Sequence, residues 1–508
     1  MTVTRFRLAS TVFISALSIN SAMALPIDWT GVFGVDTTMI SNLRRTKDSI
    51  TAAQKPDATA GTPRTGTQGI RNGDSGANFQ TYVFKLNPTI IVNDGVTLKG
   101  ELSSGYLRGG FAGDNAANNQ QTSANNSGAA NNSYFFTTPA QRSALNVNQM
   151  YMELYADTAL VKIGRMSKHY GLGIVWDNGN DSWDRFLTMY DGIEATMKIG
   201  NFSLVPYYSK ISSYNNNSAT GTVGSQPAGG WDVRELGMSA QYDNKNRDLV
   251  VSIQYAKRSS ERKATLYSSN STTATGIERG KTSVTVIEPY VSKKWNKFKI
   301  AFEGSLQSGD YGNVYSDGTG NSKLSTTAYV LESKYEFNPK WDMGLNAGQA
   351  NGDKGSSQKF EAAYLHPNYH IAELMFRYNY ASFNEGGRSI FDASVNNTRF
   401  YKLFGNYKSD KWTWKSAFIM ANAMESAKAG PRAYHHEENY SFTSSQKQSK
   451  DMGYEIDLGF DYRWNPNVTI TGSYGYWFVG DYYAFTNTAE ELSISNVHGG
   501  SLRATLEF

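Results

Sequence analysis

The chain has 508 residues, of which 47 are Gly, 12 are Pro and none is Cys, and aromatic residues make up 13%. The lack of Cys excludes disulfides, metal–thiolate sites and thiol catalysis. The formal net charge is +4, and Arg5 and Arg7 near the start contribute +2 of it, so the remaining chain carries +2. This balance gives no reason to expect nucleic acid as a partner.

The first 24 residues have the pattern of a secretory signal peptide. Arg5 and Arg7 precede an apolar run from Leu8 to Leu17, and Ala22-Met23-Ala24 supplies a small-x-small cleavage site. A membrane anchor is the less favoured alternative, because the run is shorter than the roughly 18 to 20 residues of a spanning helix. We therefore expect residues 1–24 to be removed and the mature chain to begin at Leu25.

From Leu25 onwards, many short stretches alternate apolar and polar residues with a period of two, which predicts β-strands. The first is Asp28 to Ile40, and the clearest is Met452 to Arg463. One face of that stretch consists of Met452, Tyr454, Ile456, Leu458, Phe460 and Tyr462. The other face consists of Gly453, Glu455, Asp457, Gly459, Asp461 and Arg463.

The connections between these stretches alternate between tight turns and long polar loops. Asn93-Asp94-Gly95 and Gly200-Asn201 are typical of the tight turns, and residues 109–143 and 423–450 are among the longest loops. Antiparallel neighbours would place all tight turns at one end. Soluble sandwiches rarely have this arrangement, whereas transmembrane β-barrels have short periplasmic turns and long extracellular loops.

The predicted fold is therefore all-β, a closed antiparallel transmembrane barrel with a polar lumen. Counting strands between turns gives about 20, with 18 as the alternative, because bacterial barrels use even numbers. The count of 20 includes two strands within Lys359 to Tyr380, joined by a predicted turn at His366 to Tyr369.

Charged side chains that face the lumen by strand parity are candidates to line a pore. They are Glu153, Lys162, Glu194, Arg377, Asp457 and Arg463. Opposed charges in a lumen filter solutes by size and charge. Because their signs nearly balance, strong ion selectivity is not predicted. The alternative is that these charges pair across strands and stiffen the wall.

A segment at 165–187 is the candidate for a loop that folds inward and narrows the lumen. Its charged residues are Arg165, Lys168, Asp177, Asp181, Asp184 and Arg185. Its aromatic residues Tyr170, Trp176 and Trp183 are candidates to stack on solutes. The alternative is a surface loop whose charges are solvated.

Enzymatic and metal-dependent functions are not expected. His169 lies near Asp177 and Asp181 in sequence, but no Ser-centred nucleophile motif accompanies it. The run His435-His436-Glu437-Glu438 has ligand types for a divalent metal, but adjacent side chains on an extended chain point apart. We therefore expect no metal and no cofactor.

The end of the chain carries the most specific motif. Leu502, Ala504, Leu506 and the terminal Phe508 alternate with Arg503, Thr505 and Glu507. This pattern resembles the last strand of Gram-negative outer-membrane barrels, whose terminal aromatic residue is read by the barrel assembly machinery. The architecture from Leu25 to Phe508 resembles an outer-membrane porin.

Two narrower resemblances accompany it. Val161 to Phe186 is similar to segments of porin-like and carbohydrate-export barrels in which a loop folds towards the lumen. The opening LPIDWTGVFGVDTTMI resembles major outer-membrane proteins of the predatory Bdellovibrio type. There is no separate N-terminal plug domain, which speaks against the energy-coupled receptor class.

The porin resemblance implies a water-filled channel in the cell outer membrane for passive diffusion of small hydrophilic solutes and ions. A saccharide-preferring channel is one alternative, and a structural or adhesive surface barrel with a blocked lumen is another. The implied partners are outer-membrane lipid and lipopolysaccharide, the assembly machinery, the solutes and, as in many porins, two further copies in a homotrimer.

Overall fold

The fold is described from a computed structural model. The described residues are 26–47, 76–112, 145–214, 231–260, 265–266, 277–278, 282–311, 322–356, 358–380, 390–437 and 440–508. The expected signal peptide, residues 1–24, lies outside them. Within these ranges, no helix is both long and apolar enough to cross a membrane.

Eighteen strands form the wall of the molecule. They are β1 Ile27–Ser41, β2 Gly76–Asn93, β3 Val96–Ser104, β4 Leu145–Tyr155, β5 Ala159–Ser167, β6 Met189–Ile199, β7 Phe202–Tyr214, β8 Trp231–Asn244, β9 Leu249–Ser260, β10 Thr282–Trp295, β11 Phe298–Tyr311, β12 Lys323–Asn338, β13 Trp341–Ala350, β14 Thr398–Ser409, β15 Trp412–Ala423, β16 Asp451–Arg463, β17 Val468–Val479 and β18 Val497–Glu507. Each strand pairs antiparallel with the next.

The wall closes because β1 also pairs antiparallel with β18, from Val32 opposite Glu507 to Ser41 opposite His498. Two short strands, Gly109–Phe111 and Lys359–Phe360, are attached to the same sheet without being part of this ring. Two small hairpins lie outside it, Thr265–Leu266 with Ile277–Glu278 and Arg432–His435 with Tyr440–Thr443. The prediction of an all-β closed antiparallel barrel is confirmed, with 18 strands in the wall.

The predicted count of 20 strands was too high because residues 359–380 do not form two wall strands. Only Lys359–Phe360 is a strand there, and β13 pairs directly with β14, from Ala350 opposite Thr398 to Trp341 opposite Tyr407. The described residues between β13 and β14 lie inside the ring. The chain does turn at His366 to Tyr369, where the Tyr369 N–H donates to the His366 carbonyl at 2.8 Å, but this turn does not join two wall strands. Alternating apolar residues in this segment are buried within the barrel, where they pack as well as they would on a strand.

Short and long connections alternate around the barrel. Asp94-Gly95 joins β2 to β3, and Gly200-Asn201 joins β6 to β7, whereas residues 168–188 join β5 to β6. Because the strands are antiparallel, the short connections share one end of the barrel and the long ones share the other. We name these the short-turn end and the long-loop end.

The two faces of the wall differ as the period-two pattern predicts. On β16, Ile456 and Leu458 are exposed outward, whereas Glu455 and Asp457 are buried on the inner side. Met452 is the exception, since it is buried although it was predicted to lie on the outer face. A β-bulge shifts the pairing of β16 with β15 at this point, and Gly453 has a φ of 90°, which turns the Met452 side chain inward.

Part of the lumen is apolar, which corrects the expectation of a polar interior. The inward side chains Val330, Phe400 and Ile419 belong to one buried cluster with Leu365 and Leu374 of the segment that joins β13 to β14. The barrel therefore has an apolar core on the inside, in addition to its apolar outer face.

Candidate functional site

The connection between β5 and β6, residues 168–188, is the first inward segment. Its hydrogen bonds reach strands on several sides of the barrel. The Leu172 N–H donates to Glu303, the Tyr170 hydroxyl donates to the Glu288 carbonyl at 2.8 Å, Lys85 donates to the Asp181 carbonyl at 2.5 Å, and Trp183 Nε1 donates to Thr505 Oγ1 at 2.8 Å. Strands β11, β10, β2 and β18 supply these partners, so the segment runs across the lumen.

Lys168, the first residue of this segment, lies in an aromatic cage. Its Nζ lies 3.4 Å from the ring centroid of Tyr207 and 4.7 Å from that of Trp176. Burial lowers the pKa of Lys168 to about 7. The side chain therefore stabilises the start of the segment against the wall and does not face an open path.

The described part of the connection between β13 and β14, residues 351–356, 358–380 and 390–397, is the second inward segment. The Glu455 carboxylate on β16 accepts the N–H groups of Leu374 and Met375, both at 2.7 Å. The neighbouring Asp457 accepts the Glu373 N–H at 3.2 Å. Two wall carboxylates thus bind three consecutive backbone donors that the segment itself leaves unpaired.

Asn368 joins the two inward segments. Its Nδ2 donates to Asp177 Oδ1 at 2.8 Å and to the Phe186 carbonyl at 2.9 Å, and its Oδ1 accepts the Phe186 N–H at 3.3 Å. The His366 N–H donates to the Ile174 carbonyl at 2.8 Å. The two segments are therefore one hydrogen-bonded unit inside the barrel.

A small pocket of about 30 Å³ lies where this unit meets β1 and β18. Its lining residues are Asp36, Trp183, Arg185, Phe186, Pro367, Asn368, His370, Arg377, Phe391 and Arg503. Arg503 Nε lies 3.4 Å from Asp36 Oδ2, and its guanidinium lies 4.9 Å from the ring centroid of Trp183. The Arg185 guanidinium lies 4.1 Å from the ring centroid of Phe391.

The ionisation of the pocket follows from its depth in the barrel. Burial lowers the pKa of Arg185 to about 10, so its guanidinium stays protonated at neutral pH. Burial alone would also lower the pKa of Arg377, but the charge of Glu373 raises it. Burial, followed by the positive charges of Arg377 and Arg503, holds the pKa of His370 well below its usual range, so this imidazole is neutral. Three positive charges then face the carboxylates of Asp36 and the neighbouring Glu373.

Acidic residues of the first inward segment form a separate group beside the pocket. Burial alone would raise the pKa of Asp177, but hydrogen bonds with His169, Asn368 and the Gly179 N–H lower it to about 2. Burial, with the charges of Asp177 and Asp181, raises the pKa of Asp184 to about 7. His169 Nδ1 lies 3.4 Å from Asp177 Oδ2, which makes the two side chains a hydrogen-bonded pair.

The remaining wall candidates lie on the inner face but away from the pocket. Lys162 Nζ lies 3.4 Å from Glu194, and Lys99 Nζ lies 3.0 Å from Glu153, so these charges pair across β3 to β6. Arg463 ends β16 at the short-turn end and is exposed. Lys162, Glu194 and Glu153 thus form ion pairs across neighbouring strands, as in the alternative to a pore-lining role.

Three expectations about candidate residues need correction. Arg165 lies on the outer wall, paired with Asp191 at 2.8 and 2.9 Å, because β5 continues to Ser167 and Arg165 points outward by parity. Arg377 is not on a strand but in the second inward segment. Tyr170 and Trp176 are buried against the wall, which leaves Trp183 as the candidate aromatic ring that lines the pocket.

Sequence reasoning missed Asp36, Arg503 and His370 as pocket residues. Strand parity indicates that Asp36 and Arg503 face inward, but they lie 467 positions apart and meet only because β1 pairs with β18. It also missed Arg108, which is buried and donates from Nε to Glu101 at 2.7 Å and from Nη1 to the Gly179 carbonyl at 2.7 Å. No local signal in the sequence marks that contact.

The His435 to Glu437 part of the candidate metal run is described, and Glu438 lies outside the described residues. Glu437 accepts two hydrogen bonds from Arg45, at 2.5 and 2.9 Å, which joins two long-loop connections. Within the described ranges, no group of three His, Cys, Asp or Glu side chains is arranged to hold a metal ion.

Comparisons with known proteins found no matching family model and no matching curated protein. Solved structures with a similar chain course include OccK2 (OpdF) of Pseudomonas aeruginosa, with a TM-score of 0.46, 9% identity and coverage of 95% of this chain and 98% of that one. OccK8 (OprE) of the same organism has a TM-score of 0.46, 11% identity and coverage of 95% and 98%.

The outer membrane protein OmpT of Vibrio cholerae, in a form lacking loop L8, has a TM-score of 0.36, 10% identity and coverage of 96% of this chain and 100% of that one. Similarity at this level does not indicate what the chain binds, and the barrel is defined by its strand pairing alone. The Bdellovibrio-type resemblance of the opening segment finds no support in these comparisons.

Proposed function

We propose that the chain is an outer-membrane porin, exported through a cleaved signal peptide, which passes small hydrophilic solutes by diffusion. A closed ring of paired strands can cross hydrocarbon because every wall strand has partners on both sides. Large apolar side chains on the outer face, such as Leu458 and Leu236, support contact with lipid. In this orientation the short-turn end faces the periplasm, and Trp464 lies in an aromatic girdle there.

The observation that carries the proposal is the charged pocket between the inward segments and the wall. Arg185, Arg377 and Arg503 contribute three positive charges, Asp36 and the neighbouring Glu373 contribute two negative charges, and His370 is neutral. A low-dielectric wall around a net positive site concentrates anions. The proposed channel therefore prefers small anionic solutes over cations.

Conductance of the purified protein in planar bilayers tests this proposal. Stepwise currents are expected, and a KCl gradient should give a reversal potential that indicates preference for chloride. Arg503→Gln should reduce that preference, whereas Lys411→Gln, which removes the same charge from a short connection at the short-turn end, should leave it unchanged.

The two possible failures have different meanings. Absence of current steps at every salt concentration and voltage would refute the channel. Steps without chloride preference, or an Arg503→Gln variant that keeps the preference, would refute the role of the pocket and leave the channel intact. The compact form of unboiled protein on gels provides the folding control for both variants.

A barrel with a blocked lumen is the second candidate, as expected of a structural or adhesive surface protein. The buried apolar cluster around Leu365, Leu374 and Phe400 favours it, because that part of the lumen contains packed side chains instead of water. The same bilayer measurement separates the two functions. Currents that appear only after removal of the second inward segment would support the blocked barrel.

A further inference from the structure

Five adjacent strands carry charged residues on their outer face near the long-loop end. Arg165 on β5 is in register with Asp191 on β6, which is in register with Lys210 on β7, and Lys210 is in register with Arg234 on β8. On β9, Lys257 lies opposite Leu236 of β8, one outward position nearer to the short-turn end. We name Arg165, Lys210, Arg234 and Lys257 the basic patch.

The basic patch is compact and carries net positive charge. Neighbouring strands lie about 4.8 Å apart, so the five strands place the four basic side chains within about 20 Å of one another. Asp191 pairs with Arg165, and about half of each of these two side chains is exposed. Together, the five side chains of Arg165, Asp191, Lys210, Arg234 and Lys257 carry a net charge of +3.

Large apolar side chains follow directly towards the short-turn end. The next outward positions on β5, β6, β7 and β8 are Ile163, Ile193, Tyr208 and Leu236, and Tyr255 follows Lys257 on β9. All five of these side chains are exposed. The surface thus combines a cationic edge with an adjoining apolar band, which matches a molecule with an anionic head and hydrocarbon chains.

The opposite side of the barrel does not show this arrangement in its described part. Outward residues close to the long-loop end of β1, β15, β16 and β17 are Met39, Met420, Tyr454 and Phe478. These positions carry no charge. Elsewhere on the described wall, Lys323 on β12 pairs with Asp310, and Arg399 on β14 bonds to Gln349. The concentration of four basic residues on neighbouring strands therefore distinguishes β5 to β9 from β1 and β15 to β17.

We infer that the basic patch binds the phosphate groups of a phosphorylated lipid, with the acyl chains of that lipid against Ile163, Tyr208 and Leu236. Lys and Arg bind phosphate through charge-assisted hydrogen bonds, and the boundary between the apolar band and water is where lipid head groups lie. The inference rests on the proposed function in so far as that places the barrel in a membrane. It requires no current through the lumen.

Binding of a bisphosphorylated lipid A to the full chain in detergent, followed by native mass spectrometry, tests the inference. Lys210→Gln/Arg234→Gln/Lys257→Gln should weaken binding at least about tenfold, because each basic residue near an anionic lipid contributes to its affinity. The matched control is Lys297→Gln/Lys340→Gln/Lys411→Gln, which removes three charges from short connections at the other end. It should bind as the unchanged chain does.

Two further binding measurements distinguish a lipid phosphate from free phosphate as the ligand of the basic patch. Lipid A without its phosphates should bind equally to the unchanged chain and to the patch variant. A large excess of inorganic phosphate should not displace the bisphosphorylated lipid, and complete displacement would overturn the inference in favour of a free-anion site. Equal affinity of patch variant and unchanged chain for the bisphosphorylated lipid would also overturn it.

Channel measurements keep this result separate from the proposed function. The basic patch lies on the outer wall, so the patch variant should keep the conductance and chloride preference of the unchanged chain. A protein that binds the lipid but passes no current refutes the channel alone, and one that conducts but binds equally well without the patch refutes the lipid site alone.

Discussion

Phe508, the last residue, closes the barrel against Gly31. The Gly31 N–H donates to the Phe508 carbonyl at 2.8 Å, and the Phe508 N–H donates to the Gly31 carbonyl at 3.1 Å. A Cβ atom at Gly31 would lie 2.6 Å from the Phe508 ring and 2.8 Å from the Lys85 carbonyl. The first and last strands therefore meet at a position that has no room for a side chain.

We expect Gly31→Ala to weaken the closure of the barrel. The added methyl group has to displace the terminal ring or the β2 backbone, at a cost of about 1–3 kcal/mol for overpacking. Gly405→Ala is the matched control, because the nearest atom to its added Cβ is 3.8 Å away. The free energy of unfolding in lipid vesicles should fall for the first variant only, and equal losses would contradict the account of the seam.

Glu455 holds the second inward segment, so we expect Glu455→Gln to loosen it. A carboxamide has one acceptor oxygen, so one of the Leu374 and Met375 N–H groups loses its buried partner, at a cost of about 1–3 kcal/mol. Urea titration in vesicles should show this loss. Asp461→Asn on the same strand, whose carboxylate bonds to Thr471 and Lys415, is the control, and an equal loss there would contradict the specific role of Glu455.

Leu458 lies on the outer face of β16 and is 58% exposed. In a bilayer, Leu458→Arg places a charge in hydrocarbon, which costs about 2–4 kcal/mol near the midplane. Ser308→Arg, at an exposed outward position close to the long-loop end of β11, should cost about 0–1 kcal/mol. Refolding yield into vesicles and the free energy of unfolding measure the difference, and a tolerated Leu458→Arg would mean that this face does not meet lipid.

Acidification should destabilise the folded chain through His366 in the second inward segment. Burial lowers the pKa of His366 to about 4, and its Nδ1 accepts the Asn368 N–H at 3.3 Å, which requires an unprotonated nitrogen. Between pH 6.5 and 4 the unfolded chain takes up a proton at this residue and the folded chain does not. Stability that is present above pH 6.5 is therefore lost as the pH falls through this window.

The size of this pH effect is about 1–3 kcal/mol for the partly buried imidazole. His366→Gln should lose less stability than the unchanged chain when the pH is lowered from 7 to 4. An identical pH dependence for His366→Gln and the unchanged chain would show that His366 does not titrate in this range on unfolding.

The strands were predictable because each face repeats every two residues, which is a local property of the chain. The stretch Met452 to Arg463 illustrates how far this goes. Its polar and apolar faces were assigned from alternation alone, and they agree with the structure from Gly453 onwards. Met452 did not agree, because a bulge depends on how β15 and β16 pair, and pairing is not encoded in the period of one strand.

The alternation of apolar and polar residues also led to a wrong strand prediction where the chain turns inward. Residues 359–380 have the pattern of two strands, yet they belong to the second inward segment, because apolar side chains are buried equally well against Phe400 and Ile419 inside the barrel. A period-two pattern states that alternate residues are buried. It does not state whether the burial is against lipid or against the inner wall.

The sequence by itself determined the all-β class, the closed barrel and the chain end that completes it, because these depend on local periodicity, turn residues and one terminal motif. Only the tertiary structure decided which charges meet. Asp36 and Arg503 face each other because closure pairs the first strand with the last, and Arg165 points outward because β5 extends to Ser167. Contacts across a closed ring depend on register and strand length, and neither is a local property.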